Sequence, residues 1–162
     1  MILIRVDARG VSIVGEEDNE FAFVLYKGEL SRYELQEGKE VSEQAIDMIK
    51  NEVLEKRAKI RAMHILERAD RTEEELQTKL RQDLYPEEIV EKAMSYVKSF
   101  GYIGDQDYAC RYASSKARTK SKNEVKMLLK QKGIAQEYIE KALEYCYEEV
   151  DEREVIQRLV EK

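Results

Sequence analysis

The spacing of apolar residues along the chain changes near residue 42. Before it, Ile2, Ile4 and Val6 alternate with Leu3, Arg5 and Asp7, and large apolar residues recur at every second position in Phe21, Phe23 and Leu25, with glycines between the runs. Alternation with a period of two is typical of strands with one buried face. The pattern predicts a small N-terminal β region over residues 1–42, with three or four short antiparallel strands. Such a sheet is too small to be stable alone, so we expect it to pack on the first helix.

From residue 43 onward, apolar residues recur every three or four positions. Ala58, Ala62 and Ile65 form one stripe, and Ile89 and Val97 belong to another. This period is that of amphipathic helices with one buried face. The fold class predicted is therefore mainly α, with the small antiparallel β element at the N-terminus.

The helical part contains an internal repeat. When the chain is displaced by 49 residues, Thr72 aligns with Ser121 and Leu80 with Leu129, without a gap. Periods of this size are typical of stacked helical units, here elongated and curved. We expect a linker helix and a first three-helix repeat over 43–104, a second repeat over 105–149, and the first helix of an incomplete third repeat over 150–162. The helices are predicted near 57–69, 73–82 and 86–100, then near 105–117, 122–132 and 135–149.

Matching capping signals occur in the two copies. Thr72 precedes Glu75 by three residues, and Ser121 precedes Glu124 by the same spacing. Each pair is a capping box, in which the hydroxyl accepts from a first-turn amide and the glutamate returns to the cap's own amide. The second helix of each repeat should therefore begin after Thr72 or Ser121.

Three further residues mark helix ends in the sequence. Pro86 is expected to open the third helix of the first repeat. Gly101 should stop that helix in a left-handed conformation, and Asp105 should cap the helix that follows.

Composition restricts the classes of protein to which the chain can belong. Of its 162 residues, 38% are charged and 43% hydrophobic, which suits a helix-rich protein with modest cores. No apolar run reaches the roughly 18 residues of a membrane span. Cys110 and Cys146 lack metal-site or redox-motif spacing, so we expect reduced thiols and a cytoplasmic protein.

The net charge of −6 conceals a basic segment. Between Arg111 and Lys132 there are eight basic residues and one acidic residue, Glu124. Solvated helix faces explain such a segment, and composition alone favours that explanation. The other interpretation is a surface for an anionic partner.

The sequence offers little support for catalysis or for a cofactor. His64 is the only histidine and has no sequence neighbours that would make it a base or a metal ligand. Tyr108 and Tyr112, followed by Lys116, could form an aromatic and basic strip for nucleic acid, or part of a helical core. We assign Tyr108 to the core and leave Tyr112 open.

Several motifs together resemble the RecX family. They are Arg71–Leu76 with Lys79 and Leu80, Gly101–Asp105 with Tyr108 and Ala109, Lys132–Ile134, and the end of the β region at Gln36–Glu40. Two departures from the family pattern are present. The family's glycine before the second helix of repeat two is missing from Thr119–Glu124, and the third repeat is incomplete.

The resemblance implies a regulatory protein that is not an enzyme and has no cofactor, metal or small-molecule substrate. Family members are curved helical modules that bind the RecA recombinase filament on single-stranded DNA. They suppress its growth, ATP hydrolysis, strand exchange and coprotease activity in recombination, DNA repair and the SOS response. On this resemblance, the basic segment becomes a candidate partner-binding set: Arg111, Tyr112, Lys116, Arg118, Lys120, Lys122 and Lys126. The alternative is a helical module that binds DNA or RNA without RecA, against which the net acidity argues.

Overall fold

The structure, a computed structural model, describes residues 3–6, 11–15, 21–36 and 38–147. It is mainly helical with a small N-terminal antiparallel sheet, which confirms the predicted class. The chain divides into two compact units. The first contains the described residues up to Met63 and Thr78–Tyr96, and the second contains His64–Gln77 and those from Val97 onward. The helix predicted over 150–162 lies outside the described residues.

Three strands form the sheet in the order β1-β2-β3. They are β1 (Leu3–Val6), β2 (Val11–Gly15) and β3 (Phe21–Tyr26), each antiparallel to its neighbour. The register places Ile13 opposite Val24, with an irregularity between Val14 and Gly15. Phe23 and Leu25 of β3 are fully buried, as the alternation in the sequence predicts.

The chain becomes helical earlier than the sequence pattern indicated. A short helix, α1 (Lys27–Arg32), lies inside the region predicted as β. It is followed by α2 (Glu43–Ile49), whose cap Ser42 accepts a hydrogen bond of 3.1 Å from the Ala45 amide. One π-helical turn, Lys50–Leu54, then leads directly into α3 (Glu55–Arg68).

Arg57 joins the sheet to α3 within the first compact unit. Its guanidinium donates to the main-chain carbonyl of Val24 at 3.2 Å and forms an ion pair with Glu29. The same group lies 4.3 Å from the centre of the Tyr26 ring. The expectation that the β region packs on the first repeat helix is confirmed by these contacts. By binding the Val24 carbonyl, Arg57 also satisfies a main-chain acceptor of β3, which is an edge strand of the sheet.

The remaining helices closely follow the predicted boundaries. They are α4 (Glu73–Gln82), α5 (Glu87–Ser99), α6 (Asp105–Lys116), α7 (Lys122–Gln131) and α8, over residues 136–147. None of the helices in the described part of the chain is long and apolar enough to cross a membrane.

Apolar side chains at equivalent positions of the two repeats are buried. Leu80 in the first repeat and Leu129 in the second are fully buried. The core of the second repeat comprises Tyr108, Ala109, Ala113, Val125, Leu129, Ile134, Ile139, Ala142, Leu143, Cys146 and Tyr147. These residues come from α6, α7, α8 and the turn before α8, so the three helices of the second repeat share one core.

The capping box of the first repeat is complete, and that of the second is half formed. Thr72 Oγ1 accepts from the Glu75 amide at 3.2 Å, and the Thr72 amide donates to Glu75 Oε1 at 3.1 Å. In the second copy the Ser121 hydroxyl accepts from the Glu124 amide at 3.2 Å, and this is the one bond found between these two residues. Both helices nevertheless begin where the pattern predicted.

Helices α5 and α7 both end with a glycine in the left-handed region. Gly101 has a φ of 70°, as predicted, and Gly133 has a φ of 83°. After Gly133, the Ile134 amide donates to the Leu129 carbonyl at 3.2 Å, which is the closing bond of a Schellman turn. At the equivalent position in the first repeat, Leu84 adopts a φ of 67° without the freedom of glycine.

Asp105 caps a different helix from the one predicted. The residue that caps α6 is Gly104, whose side chain can accept nothing. The carboxylate of Asp105 instead accepts a hydrogen bond of 2.9 Å from the amide of Glu73, at the first turn of α4. Asp105 is 8% exposed, and this burial raises its pKa. The junction motif therefore satisfies the start of α4, a helix of the preceding repeat.

Candidate partner-binding surface

The candidate residues occupy three consecutive segments of the second compact unit. Arg111, Tyr112 and Lys116 lie on α6, and Lys122 lies at the start of α7 with Lys126 one turn later. Arg118 and Lys120 lie in the short connection between the two helices. The segments are thus consecutive along a chain that turns back on itself between α6 and α7.

The connection between α6 and α7 is fixed by hydrogen bonds to its main chain. The Lys116 carbonyl accepts from the amides of Thr119 and Lys120, at 3.0 and 2.9 Å. The hydroxyl of Tyr147, from α8, donates to the Lys120 carbonyl at 2.8 Å. Tyr147 is buried, which raises its pKa, so the donor is a neutral phenol held in the core. The backbone that carries Arg118 and Lys120 is therefore anchored.

Five of the candidate cations have no ion-pair partner within the described residues. Arg118 and Lys122 are exposed, whereas Lys116, Lys120 and Lys126 are half-buried. A half-buried lysine packs its methylene stem on the protein and leaves its ammonium in water. Within the described residues, none of these five charges is neutralised by an ion pair.

Arg111 differs because it already has a partner. Its guanidinium binds both carboxylate oxygens of Asp70, at 2.8 and 3.0 Å. The hydrogen bonds to Asp70 raise the pKa of Arg111 further. Both side chains are about half exposed, so the pair is a surface ion pair of modest strength. Arg111 could bind another anion only by releasing Asp70.

Tyr112 belongs to an aromatic pair at the edge of the core. Its ring stacks on that of Tyr108, with 6.1 Å between centroids and an interplanar angle of 13°. Tyr108 is 6% exposed, which confirms its assignment to the core, and Tyr112 is half-buried. The ammonium groups of Lys116 and Lys132 lie 6.0 and 5.6 Å from the centre of the Tyr112 ring.

Lys132 is a member of the basic segment that binds inside the protein. Its ammonium lies 3.7 Å from Glu75 and 5.9 Å from the centre of the Tyr108 ring. Burial lowers the pKa of Lys132, but the hydrogen bond with Tyr108 and the charge of Glu75 outweigh it, so the pKa is raised. Of the eight basic residues in the segment, Lys132 therefore has a charge that is largely satisfied within the protein.

A groove of about 380 Å³ runs between α7 and α8 beside the candidate residues. Lys122, Asn123 and Lys126 line one wall, and Glu140, Leu143 and Glu144 line the other. The groove therefore has a basic side that continues the candidate surface and an acidic side that ends it.

No metal-binding cluster is present in the described part of the chain. No group of three or more His, Cys, Asp and Glu residues could hold a metal ion there. His64 is exposed on α3. Cys110 and Cys146 are free thiols.

Sequence reasoning missed residues whose role depends on distant parts of the chain. Asp70 and Tyr147 contact the candidate segment from 41 and 27 residues away, respectively, so local charge density could not identify them. Lys132 was counted in the segment, but only its packing against Tyr108 and Glu75 separates it from the available charges.

Comparisons with known proteins place the helical region in a known family. The family model described as "RecX, first three-helix domain" matches residues 58–96. The model described as "RecX, second three-helix domain" matches residues 105–143. The match to consecutive three-helix domains agrees with the internal repeat.

Curated relatives agree with the family models. A protein of Caldanaerobacter subterraneus subsp. tengcongensis named "Regulatory protein RecX" is 32% identical over 146 residues, which cover 90% of this chain and 74% of the relative. A protein of the same name from Leuconostoc citreum is 31% identical over 137 residues, covering 83% of this chain but 52% of the relative. The chain thus spans about half the length of the second relative.

Solved structures resemble the chain as well. A crystal structure of regulatory protein RecX matches with a TM-score of 0.58 and 26% identity, over 90% of this chain and 74% of that one. The crystal structure of RecX from Lactobacillus salivarius matches with a TM-score of 0.54 and 26% identity, over 56% of this chain and 60% of that one. With two consecutive three-helix domains and a relative this similar along most of both lengths, the chain belongs to the RecX family.

Proposed function

We propose that the chain regulates the RecA recombinase by binding its filament on single-stranded DNA, without chemistry of its own, in the cytoplasm. The binding surface we propose consists of Lys116, Arg118, Lys120, Lys122 and Lys126, with Tyr112 at its edge. Support comes from membership of a family whose relatives are named regulatory proteins. Bound to neighbouring protomers, the protein would hinder filament growth, ATP hydrolysis, strand exchange and coprotease activity.

The observation that carries the proposal is the set of five cations that lack ion-pair partners in the described residues. Among the seven other described lysines and arginines of the second compact unit, four are paired, including Arg111 with Asp70 and Lys98 with Glu73. Because the backbone of the connection is already anchored, binding orders the side chains of these residues but little of their main chain. They also steer association with an anionic surface.

Direct binding of DNA or RNA is the second candidate function. The observation that favours it is the half-buried Tyr112 ring near the ammonium groups of Lys116 and Lys132, since aromatic rings beside cations are where bases stack. Against it stands the net charge of −6, because autonomous binding of nucleic acid relies on neutralising phosphates.

One titration distinguishes the two functions. Labelled single-stranded DNA is titrated with the protein, with and without RecA and a slowly hydrolysed ATP analogue. We expect binding when the RecA filament is present and little binding to DNA alone. If the protein bound DNA alone as tightly as it bound the RecA filament on DNA, nucleic acid rather than RecA would be the partner.

A charge-reversal variant tests the proposed surface. Changing Lys116, Arg118 and Lys122 to Glu should weaken binding to the filament and relieve inhibition of RecA ATP hydrolysis, with helical content unchanged. The difference should shrink as salt is added, because exposed charges are screened over about 10 Å at 0.1 M ionic strength.

A matched control separates local from global charge. The triple change of Lys39, Lys56 and Arg68 to Glu alters net charge equally, at exposed positions outside the proposed surface. This control should inhibit RecA nearly as well as the parent chain. Equal losses in both variants, or full inhibition by the first, would discard the proposed surface.

A further inference from the structure

Two thiols lie close together in the core of the second repeat. Cys110 is on α6 and Cys146 is on α8, and both are free. The Sγ of Cys146 lies 3.7 Å from the main-chain carbonyl oxygen of Cys110 and 3.2 Å from the hydroxyl of Ser114, one turn further along α6. The sulfur of Cys146 therefore contacts the backbone that carries the other cysteine.

The two thiols differ in access to solvent. Cys146 is 4% exposed, whereas Cys110 is half-buried at the margin of the core. The Sγ of Cys110 accepts a weak contact of 3.7 Å from the Gln106 side chain, which also reaches the Tyr138 carbonyl on α8. Cys110 is therefore the thiol that an oxidant in solution should reach first, because Cys146 is less exposed.

The contact between the Cys146 sulfur and the main chain of Cys110 is the observation that favours a disulfide. Such a bond requires close Cα atoms and side chains that point toward each other. The carbonyl oxygen that Cys146 contacts is two covalent bonds from the Cα of Cys110. The Cys110 sulfur now contacts Gln106, so the bond would require rotation of Cys110 about its Cα–Cβ bond.

We propose that Cys110 and Cys146 form an oxidisable dithiol site, which closes to an intrachain disulfide between α6 and α8 on reaction with a peroxide. The Cys110 thiolate attacks one oxygen of hydrogen peroxide, the O–O bond breaks, hydroxide leaves, and Cys110 becomes a sulfenic acid. The Cys146 thiolate then attacks the Cys110 sulfur, the S–O bond breaks, and a second hydroxide leaves. The two protons lost by the thiols convert both hydroxides to water, so one peroxide is reduced as two thiols are oxidised.

The bond would join helices that lie at either end of the second repeat in sequence. α6 carries Arg111, Tyr112 and Lys116, and α8 carries Tyr147, which anchors the connection at Lys120. A covalent link between α6 and α8 restricts the unfolded chain and should raise the midpoint of thermal unfolding. The inference does not depend on RecA being the partner.

The test uses the full chain, reduced and then treated with hydrogen peroxide. After remaining thiols are alkylated, intact mass and peptide mapping should give a monomer that has lost two hydrogens, with Cys110 linked to Cys146. The oxidised form should unfold at a higher temperature, and a thiol reductant should reverse both changes. In Cys146→Ser, a sulfenic acid should instead persist at Cys110 and be trapped by dimedone, whereas Cys110→Ser should react far more slowly.

Three outcomes would overturn the proposal. They are oxidation of Cys110 to a sulfinic acid while Cys146 stays reduced, a bond formed only between chains, and a bond formed equally fast when the chain is unfolded in urea. The last comparison also shows that the fold, rather than chain proximity, brings the thiols together.

Discussion

The hydroxyl of Thr72 and the main-chain carbonyl of Lys132 are joined by a hydrogen bond of 2.8 Å. Thr72 is fully buried, and its oxygen also accepts from the Glu75 amide at 3.2 Å. One hydroxyl therefore serves the first turn of α4 and the last turn of α7, both of which have main-chain groups without partners in their own helix. Through it, a residue of the first repeat contacts the second within one compact unit.

Replacing Thr72 by valine should therefore damage two helix ends at once. Valine keeps the branched shape but neither accepts from Glu75 nor donates to Lys132. We expect a loss of about 1–3 kcal/mol in the free energy of unfolding, measured in urea, from a lost cap and an unsatisfied carbonyl. Thr72→Ser retains the hydroxyl and is the control, with a loss well below that of valine. A valine variant as stable as the serine variant would contradict the role assigned to the hydroxyl.

Gly133 and Leu84 occupy equivalent turns and should respond to substitution in opposite directions. A Cβ on Gly133 would overlap the Glu74 carboxylate and lie 2.7 Å from Glu74 Cβ, and the φ of 83° disfavours any side chain. Gly133→Ala should cost at least about 1–3 kcal/mol from the backbone alone.

Leu84 is 47% exposed and adopts a φ of 67°. Leu84→Gly removes a left-handed penalty of about 1–2 kcal/mol and adds about 0.5–1 kcal/mol of chain entropy. We therefore expect a gain of up to about 1.5 kcal/mol. Urea unfolding of both variants provides the measurement. A loss of stability in Leu84→Gly would show that packing of the leucine side chain contributes more than the strain of its left-handed backbone costs.

Much of the helical fold was predictable because its signals are local. The helix stripes, the hydroxyl at Thr72 and the glycine at Gly101 each act within a few residues, so their positions are visible in the sequence. Asp105 was assigned to the wrong helix because its partner, the Glu73 amide, is 32 residues away. The helix α1 was missed because it follows β3 directly and contains Gly28, which was interpreted as a break between strands.

The candidate site could be located from charge density but not resolved from it. The eight basic residues between Arg111 and Lys132 look alike in the sequence. Their differences arise from Asp70, which pairs with Arg111, and from Glu75 and Tyr108, which surround Lys132. These partners come from α6 itself and from segments more than 40 residues earlier, so only the folded chain separates the available charges from the occupied ones.

The burial of Asp105 predicts a change of stability with pH. Because burial raises its pKa, the folded chain disfavours the ionised carboxylate more than the unfolded chain does. Asp105 therefore stabilises most below its unfolded pKa, and that contribution is lost as the pH rises through the folded pKa. Asp105→Asn keeps an oxygen for the Glu73 amide but does not titrate.

Comparing the parent chain with Asp105→Asn separates the pH effect of Asp105 from the effects of other carboxylates. One of these is Glu55, whose pKa is lowered mainly by its hydrogen bond with Lys59. The stability of the parent relative to Asp105→Asn should increase as the pH falls from about 7 to about 4. Urea unfolding at several pH values provides the measurement. A difference that stays constant with pH, or one that decreases toward acid, would contradict the effect of burial.

The phenol of Tyr147 offers a way to loosen the candidate surface without changing its charge. Tyr147→Phe keeps the ring in the core but removes the hydrogen bond to the Lys120 carbonyl, and should cost about 1 kcal/mol of stability. The connection at 117–121 should then exchange its amide hydrogens faster, while α6 and α7 stay protected. Because binding must then order Arg118 and Lys120 again, affinity for the RecA filament should fall. The loss should be smaller than in the charge-reversal variant. Because no charge is changed, the salt dependence of binding should equal that of the parent chain. Leu129→Ala, a larger core truncation, is the control for stability alone. If Leu129→Ala lowers affinity as much as Tyr147→Phe once both are compared well below their unfolding temperatures, the anchor has no role of its own in binding.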